Sequence, residues 1–345
     1  MKRLLIYVPT YNREQSLRVC VERLLAAVTP VQEEVAIHVS DNQSTDGTQA
    51  YLQSLNHPAL THSRNPENLG AARNVLKALT LRDRAEFTWI MGDDDYVVAD
   101  APARLLAEIR LHPQVDFYFL NTHSFSDRYR DRAVAAAQGG SMAKGRAHSR
   151  MRKNFDCSLR ELFDPRIDHV LMGAVMCYAF RSTRVADHIS EKITVTDLSQ
   201  PEACYPHTLA WLNSLGPHAR CRHLHEAFTV NVWHQGSDWG VNGYDWAVTH
   251  GLGHVLYEAI RLGYVEPAKK RRLLSHYLSL SNDSYAKLSA GAIGRGMLFS
   301  PSVKDELLEM LLGDALGRHR AGHRPRLRAA AKRIISKFRP TVSSS

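Results

Sequence analysis

The chain of 345 residues contains few cysteines and no long apolar run, and both absences narrow its class. Its five cysteines are scattered and form no Cys-x-x-Cys pair. This pattern argues against a disulfide scaffold or a zinc framework and predicts a reducing, cytoplasmic location. No apolar stretch has the length that a transmembrane helix needs. The short apolar run from Arg3 to Val8 meets Pro9 instead of a small-residue cleavage site, so it predicts a first strand and no signal peptide.

Basic residues outnumber acidic residues by 44 to 35, which gives a net charge of +9, and much of this positive excess lies near the end of the chain. Basic residues crowd positions 318–320 and 324–339, and the apolar residues of 324–339 fall approximately on one helical side. This pattern predicts an amphipathic helix on the inner, anionic face of a membrane, with a solvated or disordered tail as the alternative. Because no zinc-finger or RNA-binding aromatic motif accompanies the basic residues, we expect no nucleic-acid partner.

Strand-like and helix-like segments alternate over the first third of the chain. This rhythm predicts an α/β fold with a Rossmann-like, mostly parallel sheet flanked by helices. The predicted strands are 3–8, 34–40, 59–63, 87–91 and 115–120, and the predicted helices are 14–28, 46–55, 69–81 and 101–111.

The second half of the chain has weaker signals. Residues 126–155 predict a loop or insertion, 171–180 and 227–233 predict strands, and 205–215 predict a helix. We therefore expect a first domain over 1–235, divided into halves 1–122 and 123–235. A helical C-terminal region over 236–316 and a basic tail over 317–345 would follow.

Three carboxylates follow the predicted strand Phe87–Met91 directly. Gly92 ends the strand, and Asp93, Asp94 and Asp95 come next. Ligands of open α/β sheets bind beyond the carboxyl ends of the strands. Three acids at such a place repel one another unless a cation joins them, and hard divalent cations prefer oxygen ligands. The acidic segment Asp93–Asp95 therefore predicts a site for Mn²⁺ or Mg²⁺ together with a phosphate-bearing substrate.

Other polar segments are expected at the same edge of the sheet. Each follows a predicted strand or begins a helix, and together they offer the carboxylates, amides, hydroxyls and arginines that surround a nucleotide. These segments are Pro9–Arg13, Ser40–Thr48 and Glu67–Asn74.

With the acidic segment, these motifs resemble those of family 2 glycosyltransferases, which are nucleotide-sugar enzymes with the GT-A fold. The resemblance covers roughly the first third of the chain, where the motifs occur in the order typical of that family. It implies that Pro9, Thr10, Tyr11 and Arg13 border the nucleoside base together with Asp41. Asp46, at a helix start, has a structural alternative as a helix cap.

The resemblance also implies roles around the diphosphate. Asn68 and Arg73 would bind this part of the nucleotide-sugar, and Asp93 would face the ribose and the metal. Asp95 would ligate Mn²⁺ or Mg²⁺, whereas Asp94 would contact the nucleotide-sugar or point into solvent. His234, after a late predicted strand, would be a further metal ligand.

Inverting glycosyl transfer needs a group that removes the proton of the acceptor hydroxyl. The family uses an Asp or Glu in the second half of the domain. Glu202 is the first candidate and Asp197 the second, although the Glu-Asp pair of many relatives is missing here.

We therefore expect a metal-dependent, inverting glycosyltransferase that moves a sugar from a nucleotide-diphospho-sugar to a glycan acceptor. A lipid-linked acceptor in bacterial surface polysaccharide synthesis would agree with a membrane-bound basic tail. One alternative is a nucleotidyltransferase that makes a nucleotide-sugar, although Pro9–Arg13 lacks the glycine-rich phosphate loop of such enzymes. The other is a non-enzymatic binding module that uses the basic tail.

Overall fold

The computed structural model describes residues 1–168, 170–233, 247, 251–270 and 272–273. One compact unit extends over Met1–Glu266, and Pro267–Ser345 form a second. The basic tail expected at 317–345 and most of the helical region expected at 236–316 lie outside the described residues. The expected domain boundaries therefore stay predictions. No helix within the described ranges is long and apolar enough to cross a membrane.

Strands of the described residues join into one mixed sheet. Its order is β3-β2-β1-β4-β9-β6-β10-β5, with β7 paired to β6 and β8 paired to β10. The strands are β1 (Lys2–Thr10), β2 (Val35–Asp41), β3 (Leu60–Arg64), β4 (Ala85–Ile90), β5 (Tyr96–Val97), β6 (Phe117–Ser126), β7 (Arg146–Ala147), β8 (Phe155–Ser158), β9 (Tyr178–Arg181) and β10 (Arg220–Trp233).

Helices connect these strands, and several are only one or two turns long. The α-helices within the described residues are α1 (Glu14–Val28), α2 (Thr48–Ser54), α3 (Ala71–Leu76), α4 (Ala101–Leu111), α5 (Arg130–Ala137), α6 (Val170–Gly173), α7 (Pro201–Cys204), α8 (Pro206–Leu215) and α9 (Leu252–Arg261). Short 3₁₀ turns cover Thr29–Val31, Lys77–Leu81, Asp127–Tyr129, Leu159–Leu162, Val175–Cys177, Ser182–Arg184 and Ser190–Lys192.

The two halves of the sheet differ in strand direction. From β3 to β4 all neighbouring strands are parallel, as the alternation of strands and helices predicts. β9 then runs antiparallel to both β4 and β6, while β6 and β10 are parallel to each other. The predicted α/β fold is confirmed, and the antiparallel β9 is the main addition to the expected parallel sheet.

The core of the first half follows from continuous apolar runs. Leu4 to Val8 of β1 are all buried, because helices cover both faces of a parallel sheet. In α1 the buried residues recur at helical spacing, so one stripe faces the core and the opposite side meets solvent. α1 packs against α4 and β5. This packing fixes the loops that follow β1 and β4 relative to each other.

An aromatic cluster forms the core of the second half. The ring of Trp211 on α8 lies 5.2 Å from that of Phe117 and 5.8 Å from that of Tyr178, centroid to centroid. Phe163 and Tyr264 complete the cluster, and the Tyr264 hydroxyl donates to the Leu212 carbonyl at 2.7 Å. Buried aromatic pairs add stabilisation beyond the area that they remove from water. The cluster therefore holds α8 against β6 and β9.

Three predicted elements are wrong in detail. Residues 126–155 are not a loop alone, since they contain α5 and β7, and α5 buries Ala133, Ala136 and Ala137. The apolar run 171–180 is not one strand but α6, a 3₁₀ turn and β9, because periodicity cannot distinguish a buried helix from a buried strand. The helix predicted over 69–81 is α3 followed by a 3₁₀ turn.

Candidate active site

The carboxyl ends of β1, β2 and β4 lie side by side. In the parallel register Thr10 is opposite Asp41, and Tyr7 is opposite Ile90. The segments that follow these strands therefore meet at one edge of the sheet. We call this edge, formed by 9–13, 40–45 and 92–95, the donor rim.

The members of the acidic segment differ in environment. Thr10 Oγ1 donates to Asp93 Oδ2 at 2.7 Å, and Arg13 Nη1 lies 3.1 Å from both Asp93 Oδ1 and Asp94 Oδ2. The Gly92 amide donates to Asp95 Oδ2 at 3.1 Å. Asp93 and Asp95 are each only 5% exposed, whereas the Asp94 side chain is 44% exposed. Two carboxylates thus point into the protein and the third faces solvent beside Arg13.

Burial leaves these two carboxylates short of positive charge. Desolvation and the charge of Asp94 raise the pKa of Asp93 above its usual range, although Arg13 opposes the shift. The same two causes raise the pKa of Asp95 well above its usual range. A bound cation would reverse both effects, because opposite charge favours the ionised carboxylate. The oxygen donors at the donor rim therefore fit a hard divalent cation.

Asp93 and Asp95 do not form a complete metal site by themselves. Among the described residues, no three His, Cys, Asp or Glu side chains converge as a metal-binding group. Mg²⁺ commonly binds through one or two carboxylates plus substrate phosphates and water. Two buried carboxylates are sufficient for that arrangement. The other predicted ligand, His234, lies outside the described residues.

Asp41, at the end of β2, is fully buried. Its Oδ1 accepts a hydrogen bond from the Ser44 amide at 2.9 Å. Oδ2 has no hydrogen-bond partner in the part of the chain that the structure describes, and the nearest cation is Arg64 Nε at 3.8 Å. Buried polar atoms are rarely left unpaired. Oδ2 of Asp41 is thus an acceptor that lacks a hydrogen bond from the described residues, and Arg64, which the sequence interpretation missed, lies beside it.

The loops after β1 and β2 support each other. Asn12 adopts the left-handed φ of 52°, which asparagine tolerates better than most residues. Its side-chain Oδ1 accepts a hydrogen bond from the Thr45 backbone amide at 2.7 Å, and the Asn12 backbone amide donates to Ser44 Oγ at 2.8 Å. Tyr11, between these anchors and Thr10, is 40% exposed. An exposed ring on a braced loop is accessible for stacking.

Buried asparagines connect the donor rim beneath its surface. Asn74 Oδ1 accepts from Ser40 Oγ at 2.7 Å and from Asn65 Nδ2 at 3.1 Å. Asn42 Nδ2 donates to Asn68 Oδ1 at 2.8 Å. The predicted ligand Asn68 thus lies in this network. Asn42 and Asn74 were named only as members of the predicted segments and Asn65 was not predicted, because asparagine in a loop is typical of ordinary turns.

Arg73, predicted to lie near the diphosphate, contacts the second half of the domain. Its Nη2 donates to the Ile193 carbonyl at 2.5 Å. Gly70, at the start of α3, has φ +80°, and a Cβ there would lie 2.3 Å from the Thr196 carbonyl oxygen. Only glycine allows so close an approach of the two backbones. The segment 190–200 is therefore held against α3, beside the donor rim.

The two candidate bases lie in or next to that segment. Asp197 Oδ1 accepts from the Ser199 hydroxyl and amide, and these hydrogen bonds lower the pKa of Asp197. A lowered pKa makes a carboxylate a weaker proton acceptor. Glu202, in the first turn of α7, has Oε1 3.8 Å from His254 Nε2 on α9. Neither carboxylate contacts the acidic segment through a hydrogen bond or ion pair within the described residues.

Comparison with known proteins agrees with this geometry. Residues 5–176 match the family model described as glycosyl transferase family 2. The chain belongs to this family. The predicted family and the predicted enzyme class, a glycosyltransferase, are thereby confirmed. Family membership favours this class over the nucleotidyltransferase and the binding module.

The chain is also similar to individual proteins of this kind. It is 35% identical over 118 residues to abequosyltransferase RfbV of Salmonella typhimurium, a match that spans 32% of this chain and 33% of that relative. The chain thus spans about one third of the length of this relative. The structure of S. aureus TarS 1-349 in complex with UDP-GlcNAc aligns with a TM-score of 0.56 at 16% identity, covering 90% of this chain and 79% of the TarS 1-349 chain. A likeness at this identity concerns the fold.

Proposed function

We propose that this family 2 glycosyltransferase moves a sugar from a nucleotide-diphospho-sugar to a glycan acceptor with inversion, using Mn²⁺ or Mg²⁺. The observation that carries the proposal is the donor rim itself. One buried acceptor oxygen at Asp41 lies at the same edge as the two buried carboxylates of Asp93 and Asp95, whose pKa values burial raises even though Arg13 lies beside Asp93. A nucleoside base at Asp41 and a cation-bound diphosphate at Asp93 and Asp95 would satisfy both.

Each part of the donor rim has a role in this proposal. Asp41, with Pro9–Arg13, holds the base, and Asp93 and Asp95 hold the cation. When bound, such a cation supplies Lewis-acid stabilisation of the diphosphate leaving group. Arg13 bridges Asp93 and Asp94 and so orients the acidic segment. Arg73 holds segment 190–200, which contains Asp197, against α3, and Glu202 follows this segment in α7. These two carboxylates are the candidates from the sequence for the group that takes the acceptor proton.

Proteins similar to this chain support this substrate class. RfbV is an abequosyltransferase, and TarS has been crystallised with UDP-GlcNAc. By analogy we propose a nucleotide-sugar as donor and a surface polysaccharide precursor, lipid-linked, as acceptor. Binding of the basic tail at 324–339 to an anionic membrane would bring the enzyme to such an acceptor.

Thermal unfolding with nucleoside diphosphates tests the donor side. UDP, GDP, CDP and dTDP are each added with and without MnCl₂. We expect one of them, together with Mn²⁺, to raise the Tm by roughly 5 °C when it is well above its Kd. Asp95→Ala should abolish this shift, and Asp94→Ala, at the exposed position, should retain most of it.

Two outcomes would contradict the proposal. The first is the absence of a Tm shift for all four nucleotides in the presence of Mn²⁺. The second is an Asp95→Ala protein that responds like the unmodified chain. A larger loss for Asp94→Ala than for Asp95→Ala would reverse the assignment of the two carboxylates.

A further inference from the structure

A second polar cluster lies outside every motif discussed above. Ser124 Oγ on β6 is hydrogen-bonded to His148 Nε2 and to Asn231 Oδ1 on β10. His148 Nδ1 is 3.7 Å from Asp168 Oδ2, and that carboxylate also accepts from Arg146 Nη2. The side chains of His148 and Asp168 are only 8% and 5% exposed. We call these five residues the Ser124 cluster.

Strand pairing places the Ser124 cluster next to the acidic segment. β10 occupies one edge of β6, so β9 and β7 share the other edge. β9 also pairs with β4, and β7 continues along the same edge of β6 toward its carboxyl end. The acidic segment follows the carboxyl end of β4, which is parallel to β6. β7 and His148 therefore lie on the side of β6 that faces the acidic segment.

The surroundings of a buried thiol agree with this placement. Cys177 immediately precedes β9, whose first residue, Tyr178, is opposite Phe119 of β6, whereas β7 pairs further along β6. Its pKa is raised well above the usual range, chiefly by burial and further by the charges of both Asp95 and Asp168. Asp95 and Asp168 are thus both close enough to Cys177 to act on the same thiol.

The order of groups in the Ser124 cluster is that of a proton relay. A carboxylate next to one imidazole nitrogen stabilises the protonated ring, and the other nitrogen can then take a proton from a hydroxyl. Ser124 has one proton and two acceptors within reach. If Asn231 presents its amide nitrogen to Oγ, the Ser124 proton is directed to His148 Nε2. Ser124 is only partly buried, so another hydroxyl can approach it.

We propose that the attacking hydroxyl of the acceptor binds Ser124 Oγ and loses its proton through Ser124 to His148. This inference rests on the proposed glycosyl transfer and assigns its proton acceptor. The acceptor oxygen forms a bond to the anomeric carbon of the donor sugar as its proton moves to Ser124 Oγ. The Ser124 proton moves to His148 Nε2. The bond between the anomeric carbon and the diphosphate breaks, and its electron pair leaves with the nucleoside diphosphate.

The residues around His148 determine how the relay responds to pH. The charged or titratable side chains beside it include Asp168, Arg146 beyond that carboxylate, and His123. Asp168 favours the protonated imidazole, whereas Arg146 and His123 disfavour it. Asp168 acts through His148 and is therefore a positioning residue. Turnover should rise with pH as His148 loses its proton.

This assignment competes with Glu202 for the same task. Glu202 lies beside His254 in the segment held against α3, whereas His148 already has a hydroxyl on one nitrogen and a carboxylate near the other. The two assignments predict opposite results for conservative variants, so they can be separated directly.

The experiment measures release of nucleoside diphosphate from nucleotide-sugars by the full chain with MnCl₂. The donors carry the nucleotide identified by the thermal shift, and water and free monosaccharides serve as acceptors. His148→Gln should lower turnover at least about 100-fold, the usual contribution of a general base. Ser124→Ala should lower it at least about 10-fold. Ser124→Thr, which keeps the hydroxyl, should restore most of it.

Two controls separate catalysis from structure. His223→Gln removes the buried histidine of the Ser149–His223 pair, whose Oγ to Nε2 distance is 2.8 Å. We expect it to leave turnover of the folded protein unchanged. All variants should keep the Tm shift with nucleoside diphosphate and Mn²⁺, because the donor rim is intact. Asp168→Asn should move the rise of turnover with pH to lower pH by about one unit, because the protonated imidazole loses a neighbouring negative charge.

Several results would overturn the inference. One is a His148→Gln protein whose turnover stays within about fivefold of His223→Gln. Another is a Glu202→Gln protein that loses turnover while His148→Gln retains it. An unchanged pH profile in Asp168→Asn would remove the positioning role. If the unmodified chain showed neither a Tm shift nor turnover, the proposed function itself would be contradicted. The proton relay, which depends on that function, would then be contradicted as well.

Discussion

The donor rim and the Ser124 cluster are neighbouring sites that the chain builds in different ways. Donor-rim residues lie within a few positions of the ends of parallel strands, in chain order. The Ser124 cluster collects single residues from β6, β7, the segment just after β7, β10 and the segment before α6. A repeated βαβ unit brings its strand ends to one edge, so their polar residues belong together. For antiparallel strands and short helices no comparable rule predicts which residues meet. Their proximity is seen only in the folded structure.

Each site is supported by a buried asparagine, which gives a matched pair for testing the comparison. Asn74 connects β1, β2 and α3 below the donor rim. Asn121 on β6 donates to the His225 carbonyl at 2.7 Å and accepts from the Ser149 amide at 2.8 Å. Both asparagines are 2% exposed. They therefore share burial and chemistry but support different sites.

Replacing either asparagine by alanine should have the largest effect on stability. Asn74→Ala and Asn121→Ala each leave buried polar partners unpaired, so each should lower the free energy of unfolding by about 2–3 kcal/mol. Asn74→Ala should also abolish the Tm shift with nucleoside diphosphate and Mn²⁺. Asn121→Ala should keep that shift but lose turnover, because Asn121 holds the backbone amide of Ser149 next to His148, whereas His223 contacts Ser149 only at its hydroxyl. Chemical unfolding and thermal shift measure both quantities.

Asn213→Ala is the control, because Asn213 is an exposed asparagine on α8. It should change stability by less than about 0.5 kcal/mol. If both buried variants lost nucleotide binding equally, the two sites would not be separable and the comparison would fail.

The same contrast explains what the sequence could predict. Asp41 and Asp93–Asp95 were found because each follows an apolar strand. Applying that rule to β3 would also have found Arg64. His148 and Asp168 gave no signal, since they lie near short or irregular elements and are joined by side chains rather than by spacing. Asn74 was named only within a motif, because sequence does not reveal which loop amides are buried.

Acid pH should weaken the second half of the domain more than the first. Burial lowers the pKa of His207 on α8 to about 3, and burial also lowers the pKa of His38 on β2 to about 4. Neither ring nitrogen of His207 has a hydrogen-bond partner among the described residues, although the Gly173 backbone is close enough to oppose the shift. Below pH about 6.5 the unfolded chain takes up a proton that the folded chain refuses. Stability should therefore fall as pH decreases.

For each histidine the loss approaches 1.4 kcal/mol per pH unit and ends near its folded pKa. His207→Gln and His38→Gln, which cannot be protonated there, should each flatten the decline between pH 6 and pH 4.5. The effect of His207→Gln should extend to more acidic pH values than that of His38→Gln, because the folded pKa of His207 is the lower of the two. Unfolding by urea at several pH values gives the slopes. Curves parallel to that of the unmodified chain would show that these imidazoles are protonated equally in both states.

The smallest expected change in stability distinguishes Asp46, which caps helices beside the donor rim, from Asp41, which lies in the donor rim. Asp46 Oδ2 accepts from the Glu14 amide and Oδ1 from the Thr48 amide, each at 3.0 Å, so one carboxylate caps the starts of α1 and α2. Asp46→Ala should cost about 1 kcal/mol of stability and keep the nucleotide-dependent Tm shift. Asp41→Asn preserves shape but replaces one acceptor oxygen with a donor. It should leave the fold intact and remove most of that shift.

Thermal unfolding of both variants with and without the nucleotide measures the two effects side by side. Loss of the shift in Asp46→Ala alone would mean that helix starts, and not the ends of the parallel strands, hold the nucleotide. The difference between a capping acid and a binding acid would then be reversed. Because Asp41 is fully buried with one unpaired oxygen while both oxygens of Asp46 are occupied by backbone amides, we expect the opposite result.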